Sequence, residues 1–168
     1  MPRERNQASG WLWDEEDDLL YSLSRKISAA TGLEAHRAVL RGQGFFEHAE
    51  PWQVGVYTPG GHYLPHYDDF DLPDHQSVTP EGLWVGNRIA TSMAYLSDVQ
   101  GGFTVFPELD LAARPRQGSV LFWYDLDTDG DRDRDALHGA CPTILGTKWV
   151  ANKWIREGHQ IWRRPCLP

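Results

Sequence analysis

His66 and Asp68 stand two residues apart, and in an extended segment side chains at that spacing project from one face, so a single metal ion could take both. The pair is not specific by itself. Seven His and fifteen Asp in 168 residues would produce roughly 0.6 H-x-D pairs by chance. A non-haem Fe(II) centre needs two imidazoles and one carboxylate on one side of the metal, which leaves the opposite positions open for co-substrate and oxygen. His138, in the string LHGAC, supplies a second imidazole after enough chain to travel round a sheet and return.

Lys148 opens the run KWVANKWI, in which Lys148, Val150, Asn152 and Trp154 share one strand face. An ammonium on an inward face needs an anionic partner, and the distal carboxylate of a dicarboxylic co-substrate would serve. Alternation alone equally allows the opposite parity, with Lys148 turned outward. Upstream, Tyr57 ends a strand-like run, and Gly60 and Gly61 make a turn that permits close backbone approach to a ligand. Tyr63, Arg88 and Trp154 are aromatic or cationic groups able to hold a peptide near a metal, or equally to pack in a core or rim.

These residues must be positioned by a scaffold whose parts the sequence indicates. From Asp14 to Thr31, Leu19, Leu23 and Ile27 recur every four positions, acids crowd the first turn, and Gly32 follows, which predicts an amphipathic helix covering a sheet. Short β-rich runs come next: Trp52 to Tyr57, Arg88 to Leu96, Phe103 to Phe106, Ser119 to Tyr124 and Lys148 to Ile155. They do not alternate with helices, so a parallel βαβ fold is disfavoured against an antiparallel sandwich, barrel or jelly roll. DLDTDGDRDRD, from Asp125 to Asp135, has the opening spacing of a calcium loop, but Ala136 stands where the bidentate Glu belongs. It reads as a solvated acidic loop.

At 168 residues the chain fits one domain with a substantial core, which eight Trp, six Tyr and six Phe can fill. A net charge of -8 argues against binding a phosphate backbone, and no apolar run is long enough for a membrane span. The first ten residues contain no hydrophobic targeting segment. Cys141 and Cys166 fit neither a zinc cluster nor a CxxC motif and are open to one disulfide or two unrelated thiols.

The strings GGHYLPHYDDF, GNRIATSMAYLSDVQGGFTVFPE, GSVLFWYDL, LHGACP and GTKWVANKWIREGHQIWRRPC together closely resemble the catalytic domain of the animal collagen prolyl 4-hydroxylase α subunits, which are 2-oxoglutarate- and Fe(II)-dependent dioxygenases. The resemblance runs from about Gly10 to Cys166, with the motifs in family order. It implies a mainly β fold with a flanking helix, a double-stranded β-helix or jelly roll. It also implies iron ligation by His66, Asp68 and His138, and Lys148 paired with 2-oxoglutarate. Tyr57 and Thr91 match positions around that co-substrate, and Tyr63, Arg88 and Trp154 match positions that contact the substrate proline and its peptide.

The activity so implied is hydroxylation of peptidyl proline at C4 in collagen-like sequences, using dioxygen and 2-oxoglutarate, giving succinate and CO2, with ascorbate as a further cofactor. The resemblance further implies a Cys141–Cys166 disulfide, residence in the endoplasmic reticulum lumen, and assembly with protein disulfide isomerase. Residues 1–168 read as one catalytic domain of a shortened member, without the family's separate peptide-binding domain, signal peptide or the first strands before the helix. The segment from Asp71 to Gly86 and the Asp-rich loop depart from the family and would border the substrate entrance. Competing readings are an oxygenase of the same architecture acting on prolines of another protein, a non-catalytic proline-rich peptide binder, and a zinc hydrolase, which leaves Lys148 unexplained.

Overall fold

Asp17, not Asp14, starts the helix. Its side chain accepts a hydrogen bond from Leu19 N at 2.8 Å, and helix α1 runs Asp18–Thr31 to a left-handed Gly32 with φ 74°, whose N–H returns to Ser28 O. The expected start at Asp14 fails because that carboxylate is used elsewhere: it takes the Ser24 hydroxyl at 2.8 Å and Lys153 Nζ at 2.9 Å, all buried. The expected apolar stripe is also shorter. Leu19 is 63 % exposed, while Ile27 packs against Leu33, Ala35, Ala90 and Ile155.

This computed structural model describes residues 4–36, 38–40, 44–46, 48–70, 86–158 and 160. In chain order the strands are β1 (Ala8–Leu12), β2 (Ala38–Leu40), β3 (Gly44–Phe46), β4 (Trp52–Tyr57), β5 (Tyr63–His66), β6 (Arg88–Tyr95), β7 (Gln100–Gly101), β8 (Thr104–Phe106), β9 (Leu111–Ala113), β10 (Val120–Tyr124), β11 (His138–Ala140), β12 (Thr143–Leu145) and β13 (Lys148–Arg156). The five runs predicted as strands all form, within a residue or so of their expected bounds.

Two antiparallel sheets carry the architecture. The larger has the order β1-β4-β13-β6-β10 and the smaller β5-β11-β8-β9, the two-sheet arrangement of a jelly roll. Tyr57, Met93, Tyr95 and Val150 form a buried cluster that takes in Tyr63 and Ala140 from the smaller sheet. Strand β1 is not foreseen from its Ala-Ser-Gly composition; it forms because it pairs along β4 from Ala8↔Val56 to Leu12↔Trp52.

Strand β13 settles the parity of Lys148. Lys148 is 1 % exposed and Trp149 45 %, so the face bearing Lys148, Asn152 and Trp154 points into the molecule, where all three line one cavity. Lys153, of opposite parity, reaches the other side of the sheet, where Asp14 meets it and Trp52 Nε1 donates to Ser24 at 3.1 Å. Replacing Asp14 by Ala would strip the fully buried Lys153 ammonium of its carboxylate. That change is expected to cost about 3–5 kcal/mol, read as a lowered urea midpoint, whereas Asp14→Leu with Lys153→Met should cost much less.

Candidate metal and co-substrate site

The antiparallel pairing of β5 and β11 sets His138 directly opposite His66, the last residue of one strand against the first of the other. Their rings lie 4.4 Å apart between centroids. Asp68 follows in the bend after β5, and one ligand atom from each of the three side chains lies within 4.8 Å of the others. Nε2 of His66 is 3.7 Å from Asp68 Oδ1, and Nε2 of His138 is 3.6 Å from Asp68 Oδ2.

The other ring nitrogens fix the tautomers. Nδ1 of His66 is 2.8 Å from Leu64 O, and Nδ1 of His138 is 2.9 Å from Ala136 O. A carbonyl only accepts, so each Nδ1 carries a proton and each Nε2 is the ring atom that faces Asp68. Burial, with the neighbouring His138 adding to it, pulls His66 down to about 4, so its imidazole is neutral at ordinary pH. Burial alone would raise the Asp68 carboxyl, but His138 leads a set of neighbours that outweighs it and holds the group below its usual value. Two imidazoles and one carboxylate, gathered on one side of the cavity, are the donor set that suits Fe(II), so these residues fit the metal.

Around the triad lies a cavity of about 200 Å³ lined by Tyr57, Tyr63, Arg88, Thr104, Lys148 and Trp154, among others. Lys148 Nζ sits over the rings of Tyr57, at 5.1 Å, and Tyr95, at 5.5 Å. No carboxylate of the described residues pairs with it, and burial pushes its ammonium down to about 8. Burial likewise pushes the Tyr57 phenol up to about 12, leaving it a neutral hydrogen-bond donor. Trp123 Nε1 and Asn152 Oδ1, buried on this lining, also have no partner among the described residues.

Arg88 is held from three sides. Glu50 takes it in a fork, with Nε to Oε1 at 2.6 Å and Nη2 to Oε2 at 2.7 Å, while Nη1 donates to the backbone oxygen of Asp68 at 3.1 Å. Its guanidinium lies 3.9 Å from the centre of the Trp154 ring. Tyr63 stacks on His66 at 3.6 Å. Arg5, from the segment bridged to Tyr63, covers the outer face of that ring at 4.8 Å.

The structure therefore brings His66, Asp68, His138, Lys148, Tyr57, Tyr63, Arg88 and Trp154 to one cavity. Thr91 is placed differently from the expectation: it is fully buried behind Asp68 and is not part of the lining. The close approach at Gly61 is to the chain's own Thr58 O, which a Cβ there would meet at 2.7 Å. Cys141 is half-buried, and Cys166 lies outside the described residues, as do positions 71–85 of the segment expected to border the entrance. Sequence reasoning missed Glu50, Thr104, Arg5 and Asp125. The first three carry no local signal, since partners 38 residues apart meet only through the fold.

The acidic loop is not wholly solvated either. Asp125 is buried and Arg132 pairs with Asp69 at 2.9 Å, while the Asp127 side chain takes the N–H groups of Asp129 and Asp131. Those carboxylate contacts serve the turn itself.

Comparison with known proteins gives a consistent result. Prolyl 4-hydroxylase subunit alpha-1 of Rattus norvegicus is 41% identical over 163 residues, covering 96% of this chain, and subunit alpha-3 of Homo sapiens is also 41% identical over 96%. The chain spans about 28% of the length of these relatives. Among solved structures, the viral collagen prolyl hydroxylase of Paramecium Bursaria Chlorella virus-1 in its 2OG complex aligns with a TM-score of 0.74 at 28% identity, covering 93% of this chain and 81% of that one. A prolyl hydroxylase of Trichoplax adhaerens in complex with a hypoxia inducible factor peptide fragment shares the fold, at a TM-score of 0.59 and 16% identity. The sequence model of the 2OG-Fe(II) oxygenase superfamily matches residues 52–156, a span that holds all three candidate ligands and Lys148, and this chain belongs to that superfamily.

Proposed function

We propose that residues 1–168 are the catalytic domain of a peptidyl-proline 4-hydroxylase in which His66, Asp68 and His138 hold Fe(II). The observation that carries the reading is the pairing, across one cavity, of this triad with a buried ammonium that has no carboxylate of the described residues beside it. A ligand with a chelating end and a distal carboxylate suits both, which is the shape of 2-oxoglutarate. Iron supplies the activation of dioxygen when bound.

The chain's own residues bind, orient and exclude water. Lys148, with the Tyr57 phenol and the Thr104 hydroxyl near it, receives the far carboxylate, and the low dielectric around the ammonium strengthens that pairing. Tyr63 and Trp154 contribute aromatic surface to the lining against which a proline ring can pack, and Arg88, locked by Glu50, holds a guanidinium at the cavity. A proline-rich peptide near polyproline II loses little entropy on such a surface. The similarity to prolyl 4-hydroxylase α subunits over 96% of the chain supports peptidyl proline as substrate, and the viral collagen prolyl hydroxylase supports collagen-like sequence. The same resemblance supports ascorbate as an additional cofactor, a Cys141–Cys166 disulfide, the endoplasmic reticulum lumen as compartment and protein disulfide isomerase as partner.

Mass spectrometry of a (Pro-Pro-Gly) repeat peptide incubated with the protein, Fe(II), ascorbate and 2-oxoglutarate should show one added oxygen per modified proline, and none without 2-oxoglutarate. Unmodified peptide alongside normal 2-oxoglutarate binding would overturn the substrate assignment. His138→Ala should abolish turnover while keeping the circular dichroism of the fold; full activity in that variant would sink the ligand set.

Lys148→Ala should weaken 2-oxoglutarate binding roughly 30-fold or more, about 2 kcal/mol, in anaerobic calorimetry of the Fe(II) protein. The pH dependence follows from the depressed ammonium. Below about 8 the free protein presents a charged Lys148, and above it the proton must be taken up on binding, so affinity should fall about tenfold per unit as pH rises beyond about 8. An affinity flat across that range would remove Lys148 from the role.

A further inference from the structure

Thr91 Oγ1 lies 2.9 Å from Asp68 Oδ2 and 2.8 Å from Asp125 Oδ2, and all three residues are buried. A threonine hydroxyl carries one hydrogen and can donate it to only one of the two carboxyl groups. The second short oxygen–oxygen contact therefore needs a proton brought by the other carboxyl. Asp68 can hold the proposed metal only as a carboxylate, so it is the member that accepts the Thr91 hydrogen. Asp125 is the acid. Burial first, and then the negative charge of Asp68, push its carboxyl well above the usual range; the Thr91 hydroxyl and Arg88 oppose this and Asp69 adds to it, and the upward causes win. Its Oδ1 has no partner among the described residues, so a charge there would be unsolvated.

The backbone holds Asp125 firmly in this place. Asp125 N donates to Ile89 O at 2.9 Å, beside Thr91 on β6, and Asp133 N donates to Asp125 O at 3.0 Å. Arg132 of the same loop pairs with Asp69, next to the ligand carboxylate.

We infer that Asp125 is a positioning residue of the metal centre: as a neutral acid it donates to Thr91, which donates to Asp68 Oδ2 and so fixes the orientation of the ligand carboxylate. The inference rests on the proposed use of His66, Asp68 and His138 as the iron site. It gives the first residue of the acidic loop a task that the loop's five later acids do not share. Outer partners of this kind set metal affinity by about 10–100-fold.

Anaerobic calorimetry of Fe(II) binding, without co-substrate, on the full chain tests it, together with the visible spectrum of the Co(II)-loaded protein as a report on ligand geometry. Thr91→Val and Asp125→Leu should each lower Fe(II) affinity about 10–100-fold and alter the Co(II) bands, whereas Asp125→Asn should stay within about threefold, because its amide N–H replaces the acid O–H. Thr91→Val with unchanged affinity, or Asp125→Asn falling as far as Asp125→Leu, overturns the inference. Should the Leu variant not fold, infrared spectroscopy of the apoprotein decides: a protonated-carboxyl C=O band at neutral pH must be present in the unsubstituted chain and missing in Asp125→Asn, and identical spectra overturn it. His138→Ala separates the two levels. If that variant binds Fe(II) as well as the unsubstituted chain, the iron site and this inference fall together; if it loses Fe(II) while Thr91→Val does not, only this inference falls.

Discussion

The register that sets His138 opposite His66 is the constraint on which the site depends. Antiparallel partners hold their side chains a few ångströms apart by backbone geometry alone, so two imidazoles placed there are neighbours before any metal arrives. A slip of one residue would send one ring to the other face of the sheet and destroy the pair. The register is protected by the rest of β11, whose Gly139 and Ala140 also pair with β8, and by Tyr63 and Ala140 packing into the core between the sheets. Gly139 permits this crowding: a Cβ on it would lie 3.1 Å from the backbone of Pro65 and Tyr63.

Strand β13 shows how the same residue type is put to two uses by parity. Lys148 and Lys153 are both buried, five positions apart and on opposite faces. Lys153 is neutralised within the chain by Asp14 and contributes only to structure. Lys148 has aromatic rings around it and no carboxylate of the described residues, a costly arrangement for stability that makes sense if a ligand completes it. The shared cavity joins that cost to the triad, so the favourable energy of closing the ion pair is available to orient whatever the metal holds.

Much of this was legible in the sequence, for reasons that can be stated. The strands at Trp52–Tyr57 and Lys148–Ile155 were visible because β-branched and aromatic residues crowd short runs bounded by Gly and Pro, whereas the triad was legible only through the family resemblance of the strings around it, an H-x-D pair being expected by chance. Strand β1 and the true start of α1 were not, since both are decided by distant partners, β4 in one case and Lys153 in the other. The parity of Lys148 was undecidable because both faces of β13 are rich in apolar and charged residues alike; burial on each side of the sheet, not alternation, settles it. Asp125 was hidden in a string of five further acids, with no local mark to separate the buried one from the others.

The electrostatics of the centre also explain why one Asp is a fitting ligand and the other is not. Both lie in a low-dielectric interior where an isolated carboxylate is expensive. Asp68 has two imidazole rings within 4 Å of its oxygens and an arginine anchored to its backbone, and its neighbours together hold its carboxyl below the usual range against the effect of burial. Asp125 lies one hydroxyl further from those neighbours, is buried, and stands next to the negative charge held by Asp68. Two carboxylates that share one neighbour cannot both be charged cheaply, and the asymmetry of their surroundings chooses which one remains an anion. A metal arriving at the triad therefore meets a carboxylate that needs no deprotonation, and the buried acid behind it is free to act as a hydrogen-bond donor.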